Sequence, residues 1–417
     1  MNLTKKRISL FCTFLLGISA YAQTIKVCPS CEVKTIQQAV ERAKDHDTIL
    51  IEKGTYKVND LVIKKPLTFI GKNKPIIDAE NKGEIFIISA SNVHIKGIHF
   101  KNVGHSFMKD LAALRFDRSE DFSVIDNTME NVYYGIILHK GKRGVIKNNY
   151  VKGIQRQEFD SGNAIHLWDC RAITITNNVV TNARDGIYLQ FTSGSVIQHN
   201  DSHNNLRYGL HFMFSNDNEY HKNTFSANGA GVAVMFSKRI KMTQNTFQKN
   251  WGTASYGLLL KEIYDAEIQN NTFYQNTIGI NGESCTRINY KENIFSENGW
   301  GIRIKGACFD NHFWDNDFLN NTFDVSYNNK MNANTFKNNY WSDYTGYDLN
   351  KDGIGDVPYR PVKLFSYIAN KTPESIILLR SLFIDIVNFS EKVAPAFTPE
   401  NLIDENPRMR PFHSQKK

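Results

Sequence analysis

Gly209-Leu210-His211-Phe212 is followed, 14 residues after its glycine, by Asn223-Thr224-Phe225. The phrase then returns as Gly231-Val232-Ala233-Val234 and Asn245-Thr246-Phe247. Working outward, the same start occurs at Gly135, Ala164, Gly186, Gly257, Gly279 and Gly301, so that the intervals along the chain are 29, 22, 23, 22, 26, 22 and 22. An asparagine lies 14 residues after nearly every start, at Asn149, Asn178, Asn200, Asn223, Asn245, Asn271 and Asn293; the last slips by one, to Asn316. A fixed period near 22 residues is the mark of a solenoid. Leucine-rich repeats share this period, but the leucine pattern and any helical segment are missing here. The short stretches alternate by twos and are punctuated by Asn and Gly, which specifies strands and tight corners. The repeat therefore predicts an all-β fold: a right-handed parallel β-helix of about 22 residues per coil. Asparagine suits its corners because it tolerates left-handed backbone and its amide can bond the equivalent amide one coil away. The Phe after each Asn-x step should point inward and stack, which gives many of the 27 Phe a structural role.

The rest of the 417 residues fits around this array. Lys5, Lys6 and Arg7 precede an apolar run from Ile8 to Gly17 that is too short to span a bilayer, and Ala20-Tyr21-Ala22 suits a cleavage site. Residues 1–22 are thus expected to be a cleaved signal peptide, with residues 23–361 as the β-helix in a periplasm. The formal charge of +8 is concentrated at the two ends, and Lys and Arg are otherwise scattered, so no nucleic-acid partner is expected. Six cysteines leave five after the signal, too few for a disulfide-dense scaffold. Cys28-Pro-Ser-Cys31 reads as an oxidised staple, with a redox or metal-binding pair as the alternative. Thr35 to Ala43 reads as an amphipathic helix that caps the open front edge. Gln155 to Ser161 and the stretch Gly104 to Asp110 break the rhythm, and such insertions emerge as loops on one face.

Counted from each start, positions 1 and 3 are apolar and face the core, so positions 2 and 4 face out. Position 2 holds Ile137, His166, Tyr188, His211, Ala233 and Leu259. Position 4 holds His139, Trp168, Gln190, Met213, Met235 and Lys261. Methionine on an outer face is unusual. Thioether sulfur with imidazole suits cuprous copper, so His211, Met213, Met235, His166 and His139 are the candidate copper ligands. A protein-docking patch and plain packing are the alternatives for the same stripe. His94, His99, His105 and Met108 form a second His/Met group. Asp348, Asn350 and Asp352, with Gly353 and Asp356, resemble the first half of a calcium loop, although Tyr359 stands where the bidentate Glu belongs; an Asx-rich terminal turn is the equal alternative. After Pro361 the pattern changes: residues 362–417 read as an apolar helix and a Pro-rich extended tail, either a docking arm or a terminal cap.

Taken together, Thr35 to Tyr56, Arg207-Tyr-Gly-Leu-His-Phe-Met-Phe-Ser215, Gly231-Val-Ala-Val-Met-Phe-Ser237, Asn339-Tyr-Trp-Ser-Asp343 and the tail Asn401 to Pro411 resemble the NosD family, periplasmic proteins of copper-dependent nitrous oxide reductase maturation in denitrification. The resemblance implies a β-helix without catalysis of its own. It also implies an ABC ATPase and permease (NosF and NosY), the copper chaperone lipoprotein NosL and the reductase as partners. The rival class is a carbohydrate-active β-helix enzyme, a lyase, hydrolase or epimerase. That chemistry needs clustered carboxylates, and only Glu158, Asp160 and Asp169 lie near the stripe.

Overall fold

The computed structural model describes residues 22–328, 333–379, 381–393 and 402–413. The expected cleavage site lies largely outside them. The chain winds as an all-β right-handed parallel solenoid of about 14 turns. Each coil contributes one strand to each of three parallel sheets of 14, 12 and 13 strands among the described residues. Strands of the 12-stranded sheet pair in register from coil to coil, Ile165 with Ile187, Leu210 and Val232 in turn. The strands pair in parallel because the chain turns at each corner on to the next sheet and returns one coil later, and several of these turns pass through a left-handed residue, for example Asn148, Asn177, Lys222 and Asn270.

The asparagine ladder forms as the sequence predicts. Asn149, Asn178, Asn200, Asn223, Asn245, Asn271, Asn293 and Asn316 each sit buried. Asn223 shows the unit: its amide nitrogen donates to the Ile197 carbonyl at 2.9 Å and to Asn245 Oδ1 at 3.0 Å, while its own Oδ1 accepts from the Asn200 backbone and side chain. A second ladder, Asn205, Asn228, Asn250, Asn276, Asn298 and Asn321, runs at the next corner. Inside, Phe247, Phe273, Phe295 and Phe318 stack at 4.6–4.9 Å and end on Trp341, 4.2 Å from Phe318.

Both ends are closed. Helix α1 (Ile36–Arg42) is capped by the Thr35 side chain and buries Ile36, Ala39 and Val40 against the first coil. Cys28 and Cys31 are joined as a disulfide beside it, while Cys170, Cys285 and Cys308 are free and buried. At the far end Asp404 replaces asparagine as the last rung, accepting from Asn339 Nδ2 at 2.9 Å and from Trp341 Nε1 at 3.1 Å. Arg408 pairs with Asp315 at 2.8 Å, and His413 with Asp317. Residues 402–413 of the expected arm therefore lie on the final coil. Helix α2 (Leu364–Lys371) packs over the last strand of the 12-stranded sheet, with Phe365 5.9 Å from Phe323. Helix α3 (Leu382–Val393) buries Ile384 and exposes Leu382, Phe383, Ile386 and Phe389. No helix among the described residues is long and apolar enough to cross a membrane.

Candidate metal centre

The outer side of the 12-stranded sheet carries the stripe, with pairings that place its columns side by side: Ile137, His166, Tyr188, His211 and Ala233 in one, and His139, Trp168, Gln190, Met213, Met235 and Lys261 in the next. The outer position does not make the first column open to solvent. Ile137, Tyr188, His211 and Ala233 are at most 8% exposed. Part of the cover comes from the two breaks in the repeat. Arg115, in the same column, holds Glu84 at 2.8 Å and the Asp110 carbonyl, His105 pairs with Asp160 across the two insertions, and Arg207 reaches Glu158 at 3.9 Å. The loops the sequence marked as exceptions thus close over one end of the groove.

Within it, His166, Tyr188 and His211 form a stack. The Tyr188 ring lies 4.8 Å from His166 and 4.4 Å from His211, nearly parallel to the latter. Tyr208 closes the other side of His211 at 4.9 Å. His211 Nδ1 meets Asp185 Oδ2 at 3.3 Å, whereas its Nε2 is shielded from solvent and without a hydrogen-bond partner. A carboxylate on Nδ1 takes the N–H there and leaves the Nε2 lone pair free. Asp185 is fully buried and is gripped in parallel by Arg207, Nε at 2.8 Å and Nη2 at 2.6 Å. Burial alone would raise the Asp185 carboxyl; the Arg207 and His211 bonds overcome it and hold the group well below the usual carboxylate range. On the neighbouring column Met213 and Met235 are directly paired, and the Tyr188 hydroxyl donates to Met213 Sδ at 3.6 Å. The tyrosine thereby links the sulfur to the imidazole stack.

The five expected copper residues therefore fall into two groups. His211, Met213 and Met235 occupy adjoining positions on two coils. His166 is separated from His211 by the Tyr188 ring, and His139 stands against Trp168 at 5.8 Å. Both His166 nitrogens are shielded and unpartnered, and burial pushes its pKa down to about 4. The other His/Met group disperses: His94 bonds Ser123 on the 14-stranded sheet, His99 bonds Glu130 on the 13-stranded sheet, and Met108 is exposed. Among the described residues no three His, Cys, Asp or Glu side chains converge as a group that could hold a metal ion.

The loop Asp348 to Asp356 turns its oxygens on its own backbone. Asp348 accepts from the amides of Asp352 and Gly353, Asn350 from Asp352, Asp352 from Ile354, and Asp356 from Leu349. These are Asx turns, which shape the loop and leave each carboxylate further lone pairs.

A family model described as periplasmic copper-binding protein (NosD) matches residues 40–200 and 151–346. The chain belongs to the NosD family. Two relatives named "Probable ABC transporter binding protein NosD" are similar along its length. The one from Stutzerimonas stutzeri is 25% identical over 379 residues, covering 86% of this chain and 85% of the relative. The one from Pseudomonas aeruginosa is 26% identical over 377 residues, covering 86% and 87%. Among solved structures, the family 28 exopolygalacturonase of Yersinia enterocolitica superposes with a TM-score of 0.61 at 13% identity, covering 76% of this chain and 79% of that one. The catalytic unit of a GH87 α-1,3-glucanase from Streptomyces thermodiastaticus gives 0.58 at 13% identity, with 75% and 66% covered. At such identities the likeness is one of fold alone.

In this NosD-family chain the groove contains residues that the outer-column reading passed over. Asp185 and Arg207 stand one and two places before Gly186 and Gly209, where other coils carry Asn163, Ala230 or Ile278. Carrying the columns back by those places would have found the acid. Its burial and its grip on His211 depend on the bend before the strand, which no alternation rule conveys.

Proposed function

We propose that this NosD-family chain is a periplasmic copper-binding accessory protein for maturation of nitrous oxide reductase, without catalysis of its own. The observation that carries the reading is the buried, unpartnered Nε2 of His211, set by Asp185, with Met213 and Met235 paired in register in the adjoining column. An imidazole nitrogen with two thioethers is a soft, neutral donor set. It suits a cuprous ion and would hold it poorly if the ion were hard. Copper is cargo in this reading: His211 Nε2, Met213 and Met235 bind it, Asp185 orients the imidazole, and Tyr188 fixes one sulfur. His166 and His139 form a secondary station further along the groove. Calcium at Asp348, Asn350, Asp352 and Asp356 would use the oxygen lone pairs that the loop's turns leave free, at a place remote in sequence from the copper residues. It forms no part of the reading.

The partners in this reading are an ABC permease and ATPase of the NosY and NosF kind, the chaperone NosL and the reductase. The exposed apolar side of α3, together with Ile377 at 88% exposure, supports a docking role for the C-terminal helices. Of the three acids an enzyme would recruit, Asp160 is held by His105 and Arg156 and Glu158 lies 3.9 Å from Arg207, while Asp169 stands apart on the exposed corner after Trp168.

The test is an anaerobic cuprous titration of the mature protein against a chromophoric competitor. Wild type binds copper, and Met213→Ala with Met235→Ala abolishes the tight phase. Affinity unchanged in the double variant removes the proposal. Turnover of an acidic polysaccharide would replace it with the enzyme reading.

A further inference from the structure

The 14-stranded sheet changes shape near its far end. From Ser123 to Thr243 its strands are three residues long; the next three, Tyr264–Gln269, Thr286–Lys291 and Phe309–Trp314, have six. Each of these longer strands carries a left-handed residue at its second place, Asp265, Arg287 and Asp310, with φ between 54° and 58°. The outward columns run Glu267, Asn289 and His312 in one, and Gln269, Lys291 and Trp314 in the next. These six side chains line an open hollow of about 210 Å³. It lies on a different sheet from the His211 groove and shares no residue with it.

The polar groups of the hollow are uncommitted. In earlier coils of this face outward side chains answer one another: His221 meets Gln198 at 2.5 Å, and Lys241 meets Glu219 at 3.4 Å. Among the described residues the side chains of Glu267, Gln269 and Asn289 have no hydrogen-bond or ion-pair partner. His312 Nδ1 is shielded from solvent and also unpartnered. Trp314, 38% exposed, stands 4.9 Å from the His312 ring. Two amides offer donors and acceptors together, the carboxylate accepts, and the indole supplies an electron-rich apolar face. A sugar ring presents the complement: hydroxyls that donate and accept around its edge, and C–H groups on its faces. Other ligands fit less well. An anion would meet Glu267, whereas Lys291 is already answered by Glu292 at 3.3 Å. On the rim Lys241 is paired with Glu219, Arg287 is paired with Asp265 at 2.6 Å, and the exposed Asp310 and Lys337 are of opposite sign. A peptide strand finds no edge, because the three strands are hydrogen-bonded on both sides.

We infer that this hollow binds a neutral sugar ring, with Trp314 against its C–H face and Glu267, Gln269 and Asn289 on its hydroxyls. The chain would thereby hold a glycan on one flank and leave the His211 groove clear. The site binds and does not cleave, since a lone carboxylate lacks the second acid that glycoside hydrolysis uses. The test titrates the full mature chain with cellohexaose, maltohexaose and hexa-N-acetylchitohexaose, followed by tryptophan fluorescence and calorimetry. Polygalacturonate serves as the acidic control, and co-sedimentation with purified peptidoglycan sacculi tests an insoluble source of the same chemistry. A neutral oligosaccharide should bind saturably and shift the fluorescence. Trp314→Ala should weaken binding on the order of tenfold, and Trp314→Phe, which keeps an aromatic face, by less. Gln269→Ala with Asn289→Ala should also weaken it, while the melting temperature and cuprous affinity stay as in wild type. If Trp314→Ala fails to fold, that double variant decides. Binding of soluble sugars alone points to a free glycan, and co-sedimentation lost in the variants points to the cell wall; either supports the site. Absence of binding to every neutral probe and to sacculi overturns it. So does a preference for polygalacturonate, or neutral-sugar binding that the substitutions leave unchanged.

Discussion

Replacing Asp185 by asparagine separates what holds the fold from what prepares the site. The wild-type carboxylate is fully buried and takes two bonds from Arg207, at 2.8 and 2.6 Å, and one from His211 at 3.3 Å. The variant keeps the shape and loses the charge. Arg207 is then a largely enclosed cation without its counter-ion, and breaking a buried pair from one side costs about 3–5 kcal/mol. The second effect falls on His211. An amide can accept at Nδ1–H or donate to Nδ1, so the tautomer with a free Nε2 is no longer imposed. Loss of such a supporting carboxylate lowers metal affinity about 10–100-fold. The two effects come apart in Asp185→Asn with Arg207→Met, which removes the stranded cation. Thermal unfolding should recover most of its loss in the double variant, while cuprous affinity stays low. The acid limb adds a check. Asp185 is held below its unfolded pKa of about 3.9, so its contribution is present above that pH and is lost as pH falls toward the folded value. Wild type should lose stability more steeply than the double variant below about pH 4. Full cuprous affinity in Asp185→Asn would refute the reasoning that the carboxylate sets the imidazole.

Three further outcomes follow from the same structure. Asn223→Ala removes a rung that donates twice and accepts twice, stranding buried groups at about 1–3 kcal/mol each; circular dichroism should show a lower and broader melt, and an unchanged one would mean that the ladder is dispensable. His166 titrates near 4 in the folded chain against about 6.5 unfolded, so wild type gains stability as pH rises from about 4 to 6.5, and His166→Phe should flatten that rise while sparing the copper affinity set by His211. Replacing Leu382, Phe383, Ile386 and Phe389 by serine should leave the melting temperature nearly unchanged and weaken association with the transporter in detergent pull-down; equal recovery of the complex would end the docking role of α3.

The limits of sequence reading here are physical and can be placed residue by residue. Whatever repeats with the coil is legible, because each coil restates it: the asparagine rungs, the Phe stack, the inward and outward columns, and the adjacency of Met213 to Met235 all come from counting. What happens once is not. The sequence does not say that Tyr188 slides between His166 and His211 and so divides one expected ligand set into two, because alternation gives the side of a sheet but not the tilt of a ring. Nor does it say that an outward column is covered. That depends on two insertions meeting through His105 and Asp160, 55 residues apart in sequence. The tail shows the same division. Asp404 finishes a ladder written in asparagine 65 residues earlier, at Asn339, and only the folded chain shows that a carboxylate can serve as its last amide acceptor. That substitution also explains why the ladder ends there. A carboxylate accepts from Asn339 and Trp341 but has no amide N–H to pass to a further coil, so the rung that closes the solenoid is chemically unable to extend it.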